Sequence, residues 1–169
     1  APQQDPAVLE VGGERCTEVG AQLLDVATLY QCEVLEKFPY GQSFRLIGPN
    51  GERKMRTPML GRHMLQNAAT AVAAAEALRS RGFALSEQAI VDGVAFTRVP
   101  GRLEVMGQKP LIVADGAHNG ESAAALAVAL REYFEWKRCF LVLGCNRDKD
   151  IREIGMKLSK LAELIICTG

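Results

Sequence analysis

The sequence predicts an α/β protein in which an α+β segment precedes a doubly wound unit with a mostly parallel sheet. The first observation is the uninterrupted apolar run Leu111–Ala114, which is typical of a strand buried on both faces of a parallel sheet. The second is the alternation of strand-like and helical patterns after Gly101. The third is the different order before Val99, where strand signals come first and long helices follow.

The composition indicates a folded protein with no sign of a nucleic-acid or membrane partner. The chain has 169 residues, of which 48% are apolar, enough for a packed core. Lys plus Arg equals Asp plus Glu at 20 each, and no apolar run approaches the ~20 residues that span a bilayer. The start has neither a signal-peptide pattern nor Met, so we expect a piece of a longer chain. Five cysteines without paired metal-ligand spacing predict a reducing, cytoplasmic location and no metal site.

The N-terminal segment predicts one helix and one short strand. Asp5-Pro6 is a plausible cap and first turn for a helix that runs to about Val19. Gly20 ends that helix. The apolar run from Leu23 to Val26 predicts a short strand.

A hairpin and two helices are expected next. The hairpin strands run from Ser43 to Ile47 and from Glu52 to Thr57, joined by Pro49-Asn50-Gly51. A long helix with apolar residues at helical spacing begins near Arg62 or His63. Ser86 caps the helix that follows.

The segment Val99-Pro100-Gly101 breaks this pattern and predicts a hinge between two domains, residues 1–97 and residues 98–169. The second domain alternates strands with helices, and it stops directly after a strand where such folds continue, so we expect it to be truncated. The predicted strands are Leu103 to Met106, Pro110 to Ala114, Phe140 to Leu143 and Leu164 to Cys167, and the helices are Glu121 to Phe134 and Asp150 to Leu161.

Asp115 and His118 are the first candidates for chemistry. They follow a strand and precede a helix, and open α/β sheets bind ligands at that edge. A carboxylate there can accept hydrogen bonds from a sugar hydroxyl, and an imidazole at a helix N-terminus can hydrogen-bond a phosphate. The alternative is that Asp115 only caps the turn and His118 packs against it.

Other polar residues are weaker candidates. Arg102 could hold a phosphate by forked hydrogen bonds, or be a solvated linker residue. Asn67, in the first turns of the long helix, could read an adenine edge, or be an exposed helical amide. His63 is expected to cap or pack, and Asp148-Lys149-Asp150 either touches phosphate or caps a helix. The sequence lacks both the Gly-x-x-x-x-Gly-Lys-Ser/Thr loop and Gly-x-Gly-x-x-Gly.

The order of four motifs resembles the folylpolyglutamate synthase/dihydrofolate synthase family of the Mur ligase superfamily. The motifs are Gly61-Arg62-His63-Met64-Leu65-Gln66-Asn67-Ala68-Ala69, Pro100-Gly101-Arg102-Leu103-Glu104, Asp115-Gly116-Ala117-His118-Asn119 and Asp148-Lys149-Asp150. The resemblance implies that residues 1–97 end a central ATPase domain and that residues 98–169 begin a Rossmann-like C-terminal domain. Two positions depart from the family pattern, Met64 in place of Gln and Gly120 in place of Pro.

The resemblance also implies roles for individual residues. Asn67 would contact the adenine of ATP and Arg102 its phosphates, while Asp115 and His118 would line the nucleotide from the second domain. His118 is the one candidate for a catalytic part. A closing motion at the hinge would bring the two domains onto one nucleotide.

The activity implied is that of an ATP-dependent ligase that adds L-glutamate to folate, to dihydropteroate, or to both, through an acyl phosphate. Mg²⁺ would be held mainly by residues upstream of this chain, which alone would be inactive, and the full-length enzyme is expected to be a monomer. The alternatives are a peptidoglycan-precursor ligase, a cyanophycin-type ligase and a non-catalytic nucleotide-binding or scaffold domain. The pair Gly116-Ala117 favours the folate branch.

Overall fold

The computed structural model describes residues 6–168, which fall into two compact units. The described part of the first unit is 6–37, 41–58 and 62–97. The second unit combines 98–168 with two short segments, 38–40 and 59–61. The cap predicted at Asp5 lies outside the described residues. No helix among those described is long and apolar enough to cross a membrane.

The N-terminal half begins with helix α1, Pro6–Val19, which ends at Gly20 as predicted. The strand predicted from Leu23 to Val26 is wrong. Residues 23–25 form neither helix nor strand, and helix α2, Val26–Leu29, begins at Val26. The side chain of Asp25 caps α2 by accepting a hydrogen bond from the Ala27 N–H at 3.0 Å. A cap of this kind favours a helix start over an extended chain.

Three strands follow and form a sheet in the order β1-β2-β3, with β1 at Gln31–Phe38, β2 at Gly41–Gly48 and β3 at Gly51–Thr57. Strands β2 and β3 are antiparallel and pair Gly48 with Gly51, which confirms the predicted hairpin. Strand β1 was not predicted.

Two helices cover this sheet, α3 at Arg62–Ser80 and α4 at Glu87–Phe96. Ser86 caps α4 as predicted, its Oγ accepting from the Ala89 N–H at 3.1 Å. The core of this unit joins side chains of β2, β3, α3 and α4: Phe44, Leu46, Met55, Leu65, Ala69, Val72, Ile90 and Val94. This packing fixes α3, and with it Asn67, on the sheet.

An ion-pair network also ties α3 to β3 and α4. Glu76 forms an ion pair with Arg53 at 2.6 Å between Oε1 and Nη2, and the side chains are only 7% and 10% exposed. The hydroxyl of Tyr30 donates to Glu76, and Arg53 also pairs with the half-exposed Glu87. Burial would raise the pKa of the Glu76 carboxyl, but hydrogen bonds from Tyr30, Asn50 and Arg53 hold that pKa below its usual value.

The second half alternates strands and helices, which confirms the α/β class. Strands β4, Glu104–Gln108, and β5, Leu111–Ala114, form an antiparallel pair, whereas β6, Phe140–Leu143, and β7, Leu164–Cys167, are parallel. Helix α5 is Gly120–Tyr133, helix α6 is Ile151–Leu158, and a short 3₁₀ turn, Ser159–Leu161, follows α6. The parallel pairing predicted for this half is therefore present between β6 and β7 and absent between β4 and β5.

Helices α5 and α6 pack on one face of these strands. Their core holds Ala123, Leu126, Ile154, Leu158 and, from the segment before α3, Leu60. The prediction that Leu111–Ala114 is buried on both faces is wrong among residues 6–168, because Leu111 is 42% and Ile112 50% exposed. The covering helices reach Val113, whereas Leu111, at the start of the strand, and Ile112, on the opposite face, stay exposed.

Candidate functional site

Two loops of the second unit meet at the end of the β4–β5 pair. The register pairs Glu104 with Ala114, so the residues before β4 lie beside the residues after β5. The Gly116 N–H donates to the Gly101 carbonyl at 2.8 Å, and the Leu103 N–H donates to Asp115 Oδ2 at 2.8 Å. Backbone hydrogen bonds therefore join the loop that carries Arg102 to the turn that carries Asp115 and His118.

Both carboxylate oxygens of the half-buried Asp115 accept backbone hydrogen bonds. Oδ1 accepts from the Ala117 N–H and Oδ2 from the Leu103 N–H, each at 2.8 Å. The first bond closes the turn after β5, as the capping alternative expected. The second joins this turn to the loop that carries Arg102, which the sequence did not indicate.

Arg102 lies between two residues with left-handed backbone, Gly101 at φ +67° and Leu103 at φ +48°. Gly101 adopts this conformation freely, and its N–H donates to a Glu104 carboxylate oxygen at 2.7 Å. The last residue of the predicted hinge Val99-Pro100-Gly101 is therefore hydrogen-bonded to a residue of the second unit.

The guanidinium of Arg102 rests against the Gly116 backbone. A Cβ added to Gly116 would lie 3.6 Å from Arg102 Nη1, an ordinary van der Waals distance. No ion pair or hydrogen bond joins this guanidinium to any residue in 6–168. Its forked donors are therefore available for an anionic ligand.

His118 is exposed, and its Nδ1 lies 3.0 Å from the Gly116 carbonyl oxygen. A carbonyl can only accept, so Nδ1 carries a proton and donates to it, and Nε2 is the ring nitrogen left for a ligand. Asn119 and Ser122 cap helix α5 reciprocally, and the His118 N–H donates to Ser122 Oγ at 3.0 Å. The helix cap fixes the backbone of His118 and leaves Nε2 available.

Helix α5 starts at Gly120, one of the two departures from the family pattern. A Cβ on residue 120 would overlap the carboxylate of Glu153 from the first turn of α6. The missing side chain therefore lets an acidic group of the neighbouring helix cover the positive end of α5. Nothing local in the sequence links these two positions.

The remaining candidates have local partners. Asn67, in the first unit, is exposed, and its Nδ2 lies 3.6 Å from the sulfur of Met64, the other departure from the family pattern. Asp150 caps α6, because its Oδ1 accepts a hydrogen bond from the Glu153 N–H at 2.9 Å. This favours helix capping over phosphate contact for Asp150. Asp148 pairs with Lys149 at 2.7 Å, and hydrogen bonding to Lys149 lowers the pKa of that carboxyl.

The first unit contains a cavity, and the described residues contain no metal-ligand cluster. A cavity of about 1460 Å³ in the first unit is lined by side chains of α1, α2, β1 and α3 and excludes Asn67. Among residues 6–168, no group of three or more His, Cys, Asp or Glu side chains could hold a metal ion.

A family model described as Mur ligase, glutamate ligase domain, matches residues 101–169. The match includes Arg102, Asp115 and His118, the three residues that the second unit brings together.

Similar proteins include both folate and peptidoglycan ligases. The dihydrofolate synthase/folylpolyglutamate synthase of Bacillus subtilis is 31% identical over 163 residues, 94% of this chain and 36% of the relative. A UDP-N-acetylmuramoyl-L-alanyl-D-glutamate--2,6-diaminopimelate ligase of Streptomyces avermitilis is 36% identical over 147 residues, 83% of this chain and 28% of the relative. The chain thus spans well under two thirds of either relative.

A solved structure described as an FPGS-AMPPCP-folate complex has the same fold. It matches with a TM-score of 0.85 and 26% identity, over 96% of this chain and 40% of that chain.

Proposed function

Because this chain belongs to the folylpolyglutamate synthase/dihydrofolate synthase family of Mur ligases, we propose that it is part of an ATP-dependent ligase that joins L-glutamate to a folate-type carboxylate. The observation that carries the proposal is the Arg102 guanidinium, which lies beside Gly116 in the turn that carries Asp115 and His118 and has no ion-pair or hydrogen-bond partner among residues 6–168. The relative bound to AMPPCP and folate supports the same substrates here.

In the proposed reaction, a substrate carboxylate attacks the γ-phosphorus of ATP, the bond to ADP breaks and an acyl phosphate forms. The amine of L-glutamate then attacks the acyl carbon, phosphate leaves, and the nitrogen loses a proton as the amide forms. Negative charge spreads over the phosphoryl oxygens in the first step, so a fixed guanidinium nearby lowers the barrier. We assign that part to Arg102.

His118 and Asn67 are proposed to hold other groups. With Nδ1–H directed at the Gly116 carbonyl, His118 presents Nε2 to a ligand group such as a ribose hydroxyl or the attacking amine. The exposed Asn67 amide can donate to and accept from an adenine edge. Asp115 accepts two backbone hydrogen bonds through oxygens that have further lone pairs, and its contact with the nucleotide, which the resemblance implies, stays a prediction.

The proposal extends to the whole enzyme. Residues 1–97 would end its central ATP-binding domain, and residues 98–169 would begin its C-terminal domain. We expect no ligase activity from the 169 residues alone, and we expect the complete enzyme to be a monomer. The five free thiols favour a cytoplasmic location. Among residues 6–168 no group of three or more His, Cys, Asp or Glu side chains could hold Mg²⁺, so the proposal assigns no magnesium ligand to these residues.

A peptidoglycan precursor is the second candidate acceptor, because the Streptomyces avermitilis ligase is also similar over most of the chain. Purified complete enzyme should be supplied with ATP, the amino acid and either dihydropteroate, a folate or a UDP-sugar peptide. Phosphate release with the folate-type acceptors alone is the expected result. Release with the UDP-sugar peptide alone would contradict the folate assignment.

Substitution of Arg102 tests the site itself. Arg102→Ala in the complete enzyme should lower kcat by about tenfold or more, since it removes a fixed charge from the phosphoryl group. Arg131→Ala, at an exposed arginine in the last turn of α5, is the control and should leave kcat unchanged. Equal rates for both variants would contradict the assignment of Arg102.

A further inference from the structure

Leu103 has a backbone conformation that its side chain disfavours. Its φ of +48° is the one positive value at a non-glycine residue among residues 6–168. A Cβ in this region crowds the neighbouring carbonyl, so such residues persist only where the surroundings fix them. Contacts with the surrounding structure must therefore stabilise the left-handed conformation of Leu103, next to the proposed phosphate-binding Arg102.

Two restraints hold Leu103. Its side chain is 2% exposed and packs in the core under α5 and α6. Its N–H donates to Asp115 Oδ2 at 2.8 Å. The core fixes the Cα and the chain that continues into β4. Asp115 restrains the N–H, which would move with any rotation about the N–Cα bond.

Rotation about this bond would move Arg102. Because β4 and the Leu103 side chain are anchored, a change of φ at residue 103 swings the chain on its N-terminal side, and the guanidinium would leave its place against Gly116. Gly101 is also held by its hydrogen bonds to Gly116 and Glu104, so loss of the Asp115 bond would weaken the hold on this strained φ without removing it entirely.

We infer that Asp115 is a positioning residue: its carboxylate holds Leu103 in the left-handed conformation that presents the Arg102 guanidinium to the phosphate. The inference rests on the proposed function for the ligand of Arg102, and it differs from the expectation that Asp115 itself contacts the nucleotide. Asp115 acts through one hydrogen bond to the backbone on one side of Arg102, while the Ala117 bond orients the carboxylate.

The substitution Asp115→Asn removes one of the two backbone hydrogen bonds that Asp115 accepts. The amide keeps the size of the side chain but has one oxygen, so its NH₂ group would face either the Leu103 or the Ala117 N–H. Two donors cannot pair, and one of the two hydrogen bonds is lost. Asp115→Glu keeps both oxygens and moves them by one methylene, and it serves as the second variant.

A double-mutant cycle with the complete enzyme separates an indirect role from a direct one. Asp115→Asn should lower kcat about fivefold or more in the wild-type background and less than about twofold in the Arg102→Ala background, because its effect passes through Arg102. Equal fold-losses in the two backgrounds would mean that Asp115 contacts the nucleotide independently, and would overturn the inference.

Trypsin cleavage after Arg102 in the 169-residue chain tests the positioning without any ligase assay. Trypsin requires a locally opened backbone, so loss of the Leu103–Asp115 hydrogen bond should raise the cleavage rate of the Arg102–Leu103 peptide bond. We expect about a tenfold increase in Asp115→Asn and an increase in Asp115→Glu as well. The control Asp148→Asn, an exposed loop carboxylate, should leave the cleavage rate at Arg102 unchanged.

The cleavage site must be resolved by mass spectrometry, with Arg138 as the internal reference. Acceleration at Arg102 no greater than at Arg138, or none in either Asp115 variant, would overturn the positioning role. If Arg102→Ala leaves kcat intact, the proposed function fails, while the cleavage rates still decide whether Asp115 holds the loop.

Discussion

Removal of the Glu76 carboxylate should destabilise the first unit. In Glu76→Gln the side-chain volume is kept, but Arg53 loses its buried partner and the hydroxyl of Tyr30 loses a charged acceptor. Breaking a buried ion pair from one side costs ~3–5 kcal/mol. Arg53 keeps its contact with the half-exposed Glu87, so we expect the lower end, about 3 kcal/mol.

The assay is urea unfolding of the 169-residue chain at pH 7, followed by far-UV circular dichroism. The control is Glu18→Gln, which breaks an ion pair with Arg15 whose side chains are 64% and 72% exposed. Exposed pairs contribute ~0–1 kcal/mol, so the control should barely move the transition. A loss in Glu76→Gln within about 1 kcal/mol of the control would refute the reasoning.

The same network fixes the pH dependence. The folded-state pKa of Glu76 is lowered, so its contribution to stability is present above the unfolded-state pKa and is lost as pH falls through the folded-state pKa. The difference in unfolding free energy between wild type and Glu76→Gln should therefore be largest near neutral pH and shrink in acid. A difference that grew as the pH fell would contradict the lowered pKa.

Two further predictions concern Tyr30 and the Gly120–Glu153 contact. Burial first, then the hydrogen bond to Glu76, raises the pKa of Tyr30 from 10.0 to about 12, so its contribution to stability should disappear as pH rises from 10 to 12. An ultraviolet difference titration against Tyr30→Phe measures this, and ionisation near 10 would contradict it. Gly120→Pro should stabilise the chain by ~0.5–1 kcal/mol in a Glu153→Ala background, since proline suits the first helical position. In a chain that keeps Glu153, the same substitution should stabilise less, because the proline ring displaces the Glu153 carboxylate. Equal gains in unfolding free energy in the two backgrounds, measured by urea unfolding, would contradict this coupling of residues 120 and 153.

Elements with a strong local signal were predictable from the sequence. The hairpin strands β2 and β3, helix α3 and the Ser86 cap each depend on neighbouring residues, and the structure contains them. Strand β1 was missed although Cys32 and Val34 alternate with charged residues and pack on the core. That alternation was a usable signal, of the period expected for a half-buried strand.

The sequence named the members of the candidate site, whose roles stay predictions, and it did not indicate their geometry. The motif order pointed to Arg102, Asp115 and His118, and the β4–β5 register brings them together. The left-handed conformation of Leu103 depends on the core and on Asp115, twelve residues away, so no local preference for it exists in the sequence. The contact between Gly120 and Glu153 likewise joins positions that only the packing of α5 on α6 makes neighbours.

The place of Leu60 matters for anyone who wishes to prepare the second unit by itself. This leucine is 3% exposed and fills the core formed with α5 and α6, yet it precedes α3 in the chain. A recombinant fragment that begins at residue 98 would have every strand and helix from β4 onward and still have a leucine-sized void, which costs ~2–5 kcal/mol. Crystallisation or NMR of the isolated unit therefore requires a replacement for that side chain.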